Sequence, residues 1–315
     1  MSIAPVIVDS FETTPEFAPL RDAVQAGDWA RLERSIAALA PDVAGTAITQ
    51  LAEVDGIEVF LERAFAADPT SALARTALGA RYIVIAWAAR SRTTAQNVTQ
   101  EQFQEFFGWL HQAEALLTSV HEDTPGFAPA WASSLTSARG LQLGVDEVMR
   151  RDRALAEVSP HDYPGQIQTL VKLLPKWSGS WDAAAAYVSE AVAAAPAGSN
   201  SHALVAIHHI ERWAAADHDG TELLKDPAVL AELRDAAARS ARHASAPLDP
   251  VSVQAHNAFV MAFWLGDHKA DAAVHVRALS GRASEFPWRY VSGTPKKLEG
   301  YHRYVLGEKK RWFGR

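Results

Sequence analysis

The sequence predicts an all-α protein made of stacked antiparallel helical hairpins, and three observations carry that expectation. Alanine-rich, helix-favouring runs stop and restart around Pro69, Pro125, Pro160, Pro196 and Pro250, and proline suits the first turn of a helix but disrupts its interior. The intervals are 56, 35, 36 and 54 residues, the middle two near the period of a two-helix repeat. No stretch of four or more residues alternates β-branched and polar types between turn signals, so no strand is expected.

The elements follow in order. Pro15 opens a segment through Ala26, Gly27 and Asp28 turn the chain, and Trp29 to Ala38 continues at helical spacing. Asp42 to Val54 and Ile57 to Ala67 flank a turn at Asp55 and Gly56, and a long helix runs from Thr70 to about Arg92 with Pro69 at its first position. The polar stretch Ser91 to Gln100 reads as a linker. Thr99 with Gln102 fits a capping box ahead of the aromatic-rich helix Phe103 to His121. After Pro125, Trp131, Leu135 and Ala138 recur at i, i+4 and i+7, and after the break at Gly140 to Gly144 the partner is Asp146 to Val158. The later pairs are Gln166 to Leu174 with Trp181 to Ala195, Ser201 to Ala216 with Pro227 to Ala244, and Val253 to Leu265 with His268 to Ser284. The chain is expected to divide into N-terminal hairpins over 1–95, helical repeats over 96–290 and a capping helix with a basic tail over 291–315, in one continuous stack.

The segment Asn257-Ala258-Phe259 through Ala262, with Leu265-Gly266-Asp267 and Ala270, resembles a tetratricopeptide helix pair, in which small residues let the helices approach and Gly-Asp makes the turn. The usual Trp-x-x-Leu-Gly-x-x-Tyr start is missing, so the resemblance implies an irregular tetratricopeptide-like α-solenoid. Residues from about Pro125 to Trp213 are similar to an uncharacterised bacterial family of such proteins. That similarity rests on Ala128-Pro129-Ala130-Trp131, Pro175-Lys176-Trp177 with Gly179-Ser180, Pro196-Ala197-Gly198-Ser199 and Glu211-Arg212. The family has a second glycine where this chain has Ser178, and it brings no agreed activity with it.

Composition bounds the function. Apolar residues are 48% and charged residues 21% of 315, the balance of a globular protein. A net charge of -7 argues against chain-wide affinity for nucleic acid or anionic membrane. Cysteine is absent, which removes disulfides, thiolate metal sites and a cysteine nucleophile. The start of the chain does not resemble a secretory signal, and the apolar run Tyr82 to Ala89 is too short to span a bilayer, so a cytoplasmic protein is expected. From Lys296 to Arg315 seven Lys or Arg stand against two Glu, which leaves about -12 on the remainder; a capping helix ranks before a docking segment there.

Two segments carry candidate chemistry. The loop Lys176-Trp177-Ser178-Gly179-Ser180-Trp181 offers a cation, hydroxyls and two indoles for an anion or peptide; the plainer reading has Ser180 capping the helix that begins at Trp181. His202, His208, His209, Glu211 and Arg212 crowd one helix, where His208 pairs with Glu211 on one flank and His202 with His209 on the other. Adjacent histidines point about 100° apart, so His208 and His209 do not share an ion. His256, beside Val260 and Phe263, reads as a satisfied, partly buried histidine. Asp217-His218-Asp219-Gly220 resembles a piece of a calcium loop without its remaining ligands. No hydrolase elbow, dinucleotide fingerprint or P-loop occurs, and neither metal nor cofactor is expected. The expectation is a non-catalytic scaffold that binds a partner's peptide or helix on a concave surface, with Trp131, Trp177 and Trp181 as anchors and Lys176 and Arg212 orienting polar groups. An enzyme or small-ligand sensor using His208, Glu211 and the Lys176 to Ser180 loop is the alternative.

Overall fold

A computed structural model of the chain describes residues 5–90, 99–216, 220–247, 249–291 and 294–307. Helix makes up 74% of it, so the protein is all-α. None of the described helices is long and apolar enough to cross a membrane. The linker over 91–98, the Asp217 to Asp219 turn and the basic tail over 308–315 lie outside the described residues. The fold forms two compact units, residues 15–183, and residues 184–315 with 1–14.

The first unit holds α1 (Ala18–Gln25), α2 (Trp29–Ala37), α3 (Pro41–Ala52), α4 (Glu58–Ala67), α5 (Ala72–Arg90), α6 (Gln100–Asp123), α7 (Ala128–Gly140), α8 (Val145–Val158) and α9 (Tyr163–Lys172). After it, α10 (Trp181–Ala194) runs across the boundary between the units. The Thr99 and Gln102 capping box forms in both directions at the start of α6.

The expected role of the punctuating prolines needs correction. Pro69, Pro125 and Pro160 each stand three residues ahead of α5, α7 and α9. Each is the second residue of a turn closed by a backbone bond, Ser71 N to Asp68 O (3.2 Å), Phe127 N to Thr124 O (3.0 Å) and Asp162 N to Ser159 O (3.2 Å). The fixed φ of proline matches that turn position as well as it matches a helix start. Other prolines open the helices, among them Pro41, Pro129 and Pro164; of the five, Pro250 alone leads its helix.

Within this unit α5 packs most extensively on α6, and α7 lies against α3, α5, α6, α8 and α9. Ile83, Ala86, Phe106, Leu110, Leu117 and Val120 fill the seam between α5 and α6. Gly140 ends α7 where a Cβ would stand 2.6 Å from Leu110 Cδ1, so a side chain there would push the buried Leu110 side chain of α6 aside. The N-terminal ends of α3, α5 and α7 meet at a cavity of about 350 Å³ lined by Pro41, Ala44, Ala72, Leu73, Ala128 and Pro129. The opposite ends of α5 and α7 meet around Trp87, so these two helices run in the same direction. Arg151 of α8, 5% exposed, ties α6, α7 and α8 together. It donates to Glu114, to Glu147 Oε1 (2.7 Å) and to the Ser134 carbonyl (2.8 Å).

The second unit is built around α14 (Pro250–Leu265), of which every residue but Gln254 is buried. Around it lie α11 (Leu204–Ala215), α12 (Thr221–Lys225), α13 (Pro227–Arg239), α15 (Lys269–Leu279) and α16 (Pro295–Val305). Fully buried Trp288 donates its indole N–H to Asn257 Oδ1 at 2.7 Å, and Asn257 Nδ2 donates to the Val253 carbonyl at 2.8 Å. In the Gly266-Asp267 turn it is Asp267 that takes the left-handed conformation (φ 61°). Gly266 is needed for space, since a Cβ would lie 2.4 Å from the Leu224 carbonyl oxygen.

One sheet element was not expected. β1 (Ile7–Val8) pairs in parallel with β2 (Arg282–Ala283), and Arg282 Nη2 binds Asp9 Oδ2 at 2.6 Å beside it. Two-residue strands are too short for any alternation to show.

Candidate functional site

The loop singled out in the sequence follows directly from α9. Trp177 N and Gly179 N both donate to the Leu174 carbonyl (2.9 and 3.1 Å), closing a tight turn over Pro175–Trp177. A Cβ on Gly179 would stand 2.0 Å from the Leu173 carbonyl oxygen, so only glycine fits. Ser178 takes φ 71°, a left-handed conformation that costs a non-glycine residue about 1 kcal/mol. Ser178→Gly is therefore expected to stabilise the fold by about 0.5–1 kcal/mol, read as a raised urea midpoint; an unchanged or lowered midpoint would show that the serine side chain compensates. Ser180 accepts from Ala183 N at 3.0 Å and so caps α10, as the plainer reading had it.

This turn sets the half-buried Trp177 edge-on to Trp87, with ring centroids 6.2 Å apart and planes at 87°. Around the two indoles the chain gathers basic side chains from the last turns of three helices. Arg90 closes α5, Arg139 precedes the last residue of α7, and Lys172 closes α9. The Arg139 guanidinium lies 5.2 Å from the Trp87 ring and 5.6 Å from that of Trp177, and it donates to Gln168 Oε1 at 2.9 Å. The Arg90 guanidinium lies 5.5 Å from the Trp87 ring and 5.9 Å from that of Phe106. Lys172 is 3% exposed; burial and then the nearby Arg139 charge lower the pKa of its ammonium. The Trp87 indole N–H is buried without a hydrogen-bond partner among the described residues. Lys176 stands exposed on the turn, and Trp181 is half-buried at the start of α10.

Trp131 belongs elsewhere. It is 7% exposed, stacks on His121 with centroids 3.6 Å apart, and donates to the Pro125 carbonyl at 2.8 Å. Eight residues along α7 put it about 12 Å from Arg139, near the other end of the helix. Its indole supports the α6 and α7 packing and offers little surface to a partner.

The remaining candidates lie on α11 in the second unit, apart from His202, which stands in the 3₁₀ turn Asn200–Ala203 just ahead of it. Glu211 is 1% exposed and accepts from the Tyr290 hydroxyl at 2.5 Å. His208 is held neutral, its pKa brought down to about 4 by burial first and then by His209 and Arg212. His209 Nε2 meets Glu232 Oε2 at 2.9 Å, and His202 Nε2 meets the Pro196 carbonyl at 3.1 Å. Arg212 is exposed. These contacts fasten α11 to its neighbours, and among the described residues no three histidine or carboxylate side chains converge as metal ligands would.

Trp87, Arg90, Arg139 and Lys172 were not picked out from the sequence. The three cations share one signal, a basic residue in the last turn of a predicted helix, which offsets the helix dipole in any fold. Their convergence depends on three helices ending at one place. No family model matches this chain, and neither a curated protein nor a solved structure does.

Proposed function

We propose that the protein is a cytoplasmic, non-catalytic interaction module, a tetratricopeptide-like stack of helical hairpins that seats a peptide or helix of a partner protein. The observation that carries the reading is the pair of partly accessible indoles, Trp87 and Trp177, held in fixed geometry by Arg139 at one end of α5, α7 and α9. Aromatic anchors ringed by arginine are the composition of protein-binding hot spots. The common direction of α5 and α7, with α6 returning between them, supports stacked hairpins in this unit. The burial of Glu211 against Tyr290 favours a structural role for that flank over a catalytic one.

Selection of a random dodecapeptide display library on the immobilised chain tests this. Enriched sequences sharing a motif are expected, with affinity lowered about tenfold or more by Trp177→Ala, a change of at least about 1.4 kcal/mol. No enrichment, or enrichment indifferent to Trp177→Ala, would overturn the reading.

A further inference from the structure

Two of the basic groups around the indoles, Arg90 and Lys172, are offset only in part by the helices they close. Each helix C-terminus carries roughly half a negative charge, so the ends of α5 and α9 offset about half of what these two bring. Among the described residues no carboxylate pairs with Arg90 or with Lys172. Contact with an indole face contributes about 0.5–1 kcal/mol and orients a guanidinium without neutralising it. The buried Trp87 N–H adds a donor that no described residue accepts. Elsewhere the basic residues at helix junctions meet acids, as Arg75 meets Asp123 at 2.7 Å and Arg81 meets Glu58 at 2.9 Å.

We infer that the Trp87–Trp177 cluster takes a carboxylate-bearing segment of a partner protein, an acidic side chain beside Arg90 and Arg139 with an apolar neighbour against the indoles. The inference rests on the proposed seating of a partner at this place and adds the chemistry of the occupant. A planar carboxylate matches the guanidinium fork, and Lys172, nearly buried within electrostatic reach of Arg139, adds to the positive field. A nucleic-acid strand fits poorly. Its affinity comes from many phosphates neutralised at once, whereas here three cations sit on a chain of net charge -7.

The test uses the full chain and fluorescence anisotropy of two labelled decapeptides, one alternating glutamate with leucine and the other glutamine with leucine. The glutamate peptide is expected to bind about tenfold more tightly at low salt. That preference should shrink to about threefold or less in Arg90→Gln and in Lys172→Met, two separate variants whose folding is checked by thermal melts. Equal affinity for both peptides in the wild type would overturn the charge assignment and leave the proposed seating intact. Binding of neither would overturn it too, and the library selection then judges the seating independently. Tighter binding of a ten-nucleotide single-stranded DNA than of the glutamate peptide would overturn the choice of a protein carboxylate.

Discussion

Between pH 6.5 and pH 4 the fold is expected to lose stability steeply, because several histidines are buried in their neutral form. His302 of α16 is fully buried, and among the described residues neither ring nitrogen has a hydrogen-bond partner. His256 and His275 meet Nδ1 to Nδ1 at 3.0 Å between α14 and α15, so one donates and the other accepts. Burial brings His302 and His256 down to about 4. Burial, then His256 and Arg242, take His275 well below its ordinary value. In the unfolded chain these rings titrate near 6.5. The unfolded state therefore binds the extra protons first, and stability falls as pH drops from about 6.5, with the loss complete near 4. A ring brought from its ordinary value down to about 4 forfeits up to about 3 kcal/mol, a large part of a typical 5–15 kcal/mol. Urea midpoints measured from pH 7.5 to 4.5 should fall continuously below 6.5, and His302→Leu should flatten the decline. A midpoint independent of pH over that range would show that these rings are hydrated in solution.

The second large effect is expected at Arg151. Arg151→Ala leaves the Glu114 carboxylate, 20% exposed as a side chain, without its guanidinium partner and takes one of the donors from the Ser134 carbonyl, which keeps Ser137 Oγ at 3.1 Å. Breaking one partner of such a network costs about 3–5 kcal/mol, most of it from the charge left behind. Ser137 Oγ still donates to Glu114 Oε2 at 2.6 Å, which is too little to hold a carboxylate in that setting. The double variant Arg151→Met with Glu114→Gln should recover much of the loss, since it removes both charges. Urea unfolding of the two variants decides it. A single substitution costing under about 1 kcal/mol would mean that water already reaches this junction.

Much of the helical fold was legible because its signals are local. The Thr99 and Gln102 box sits three residues apart, and the spacing of Trp131, Leu135 and Ala138 needs only one helix to express itself. What the sequence hid involves partners far apart along the chain. Ile7 and Arg282 give no hint of each other, and neither do His256 and His275 on neighbouring helices. The prolines at 69, 125 and 160 misled because the same fixed φ serves a turn and a helix start. At the candidate site, Trp177 and the Ser180 cap were readable from the loop's own residues. Arg90 and Lys172 look like ordinary helix-ending cations until α5, α7 and α9 are seen to finish together.

The pairing of Ile7 and Val8 with Arg282 and Ala283 bears on the order in which the chain can assemble. Residues 15–183 are all available long before position 282 leaves the ribosome, so that unit can condense while synthesis continues. The first strand must wait for its mate, and Asp9 for Arg282, until 273 further residues have been added. Completion of the other unit thus waits on Arg282 and Ala283, and a truncated product ending before Gly281 would keep its leading segment unpaired.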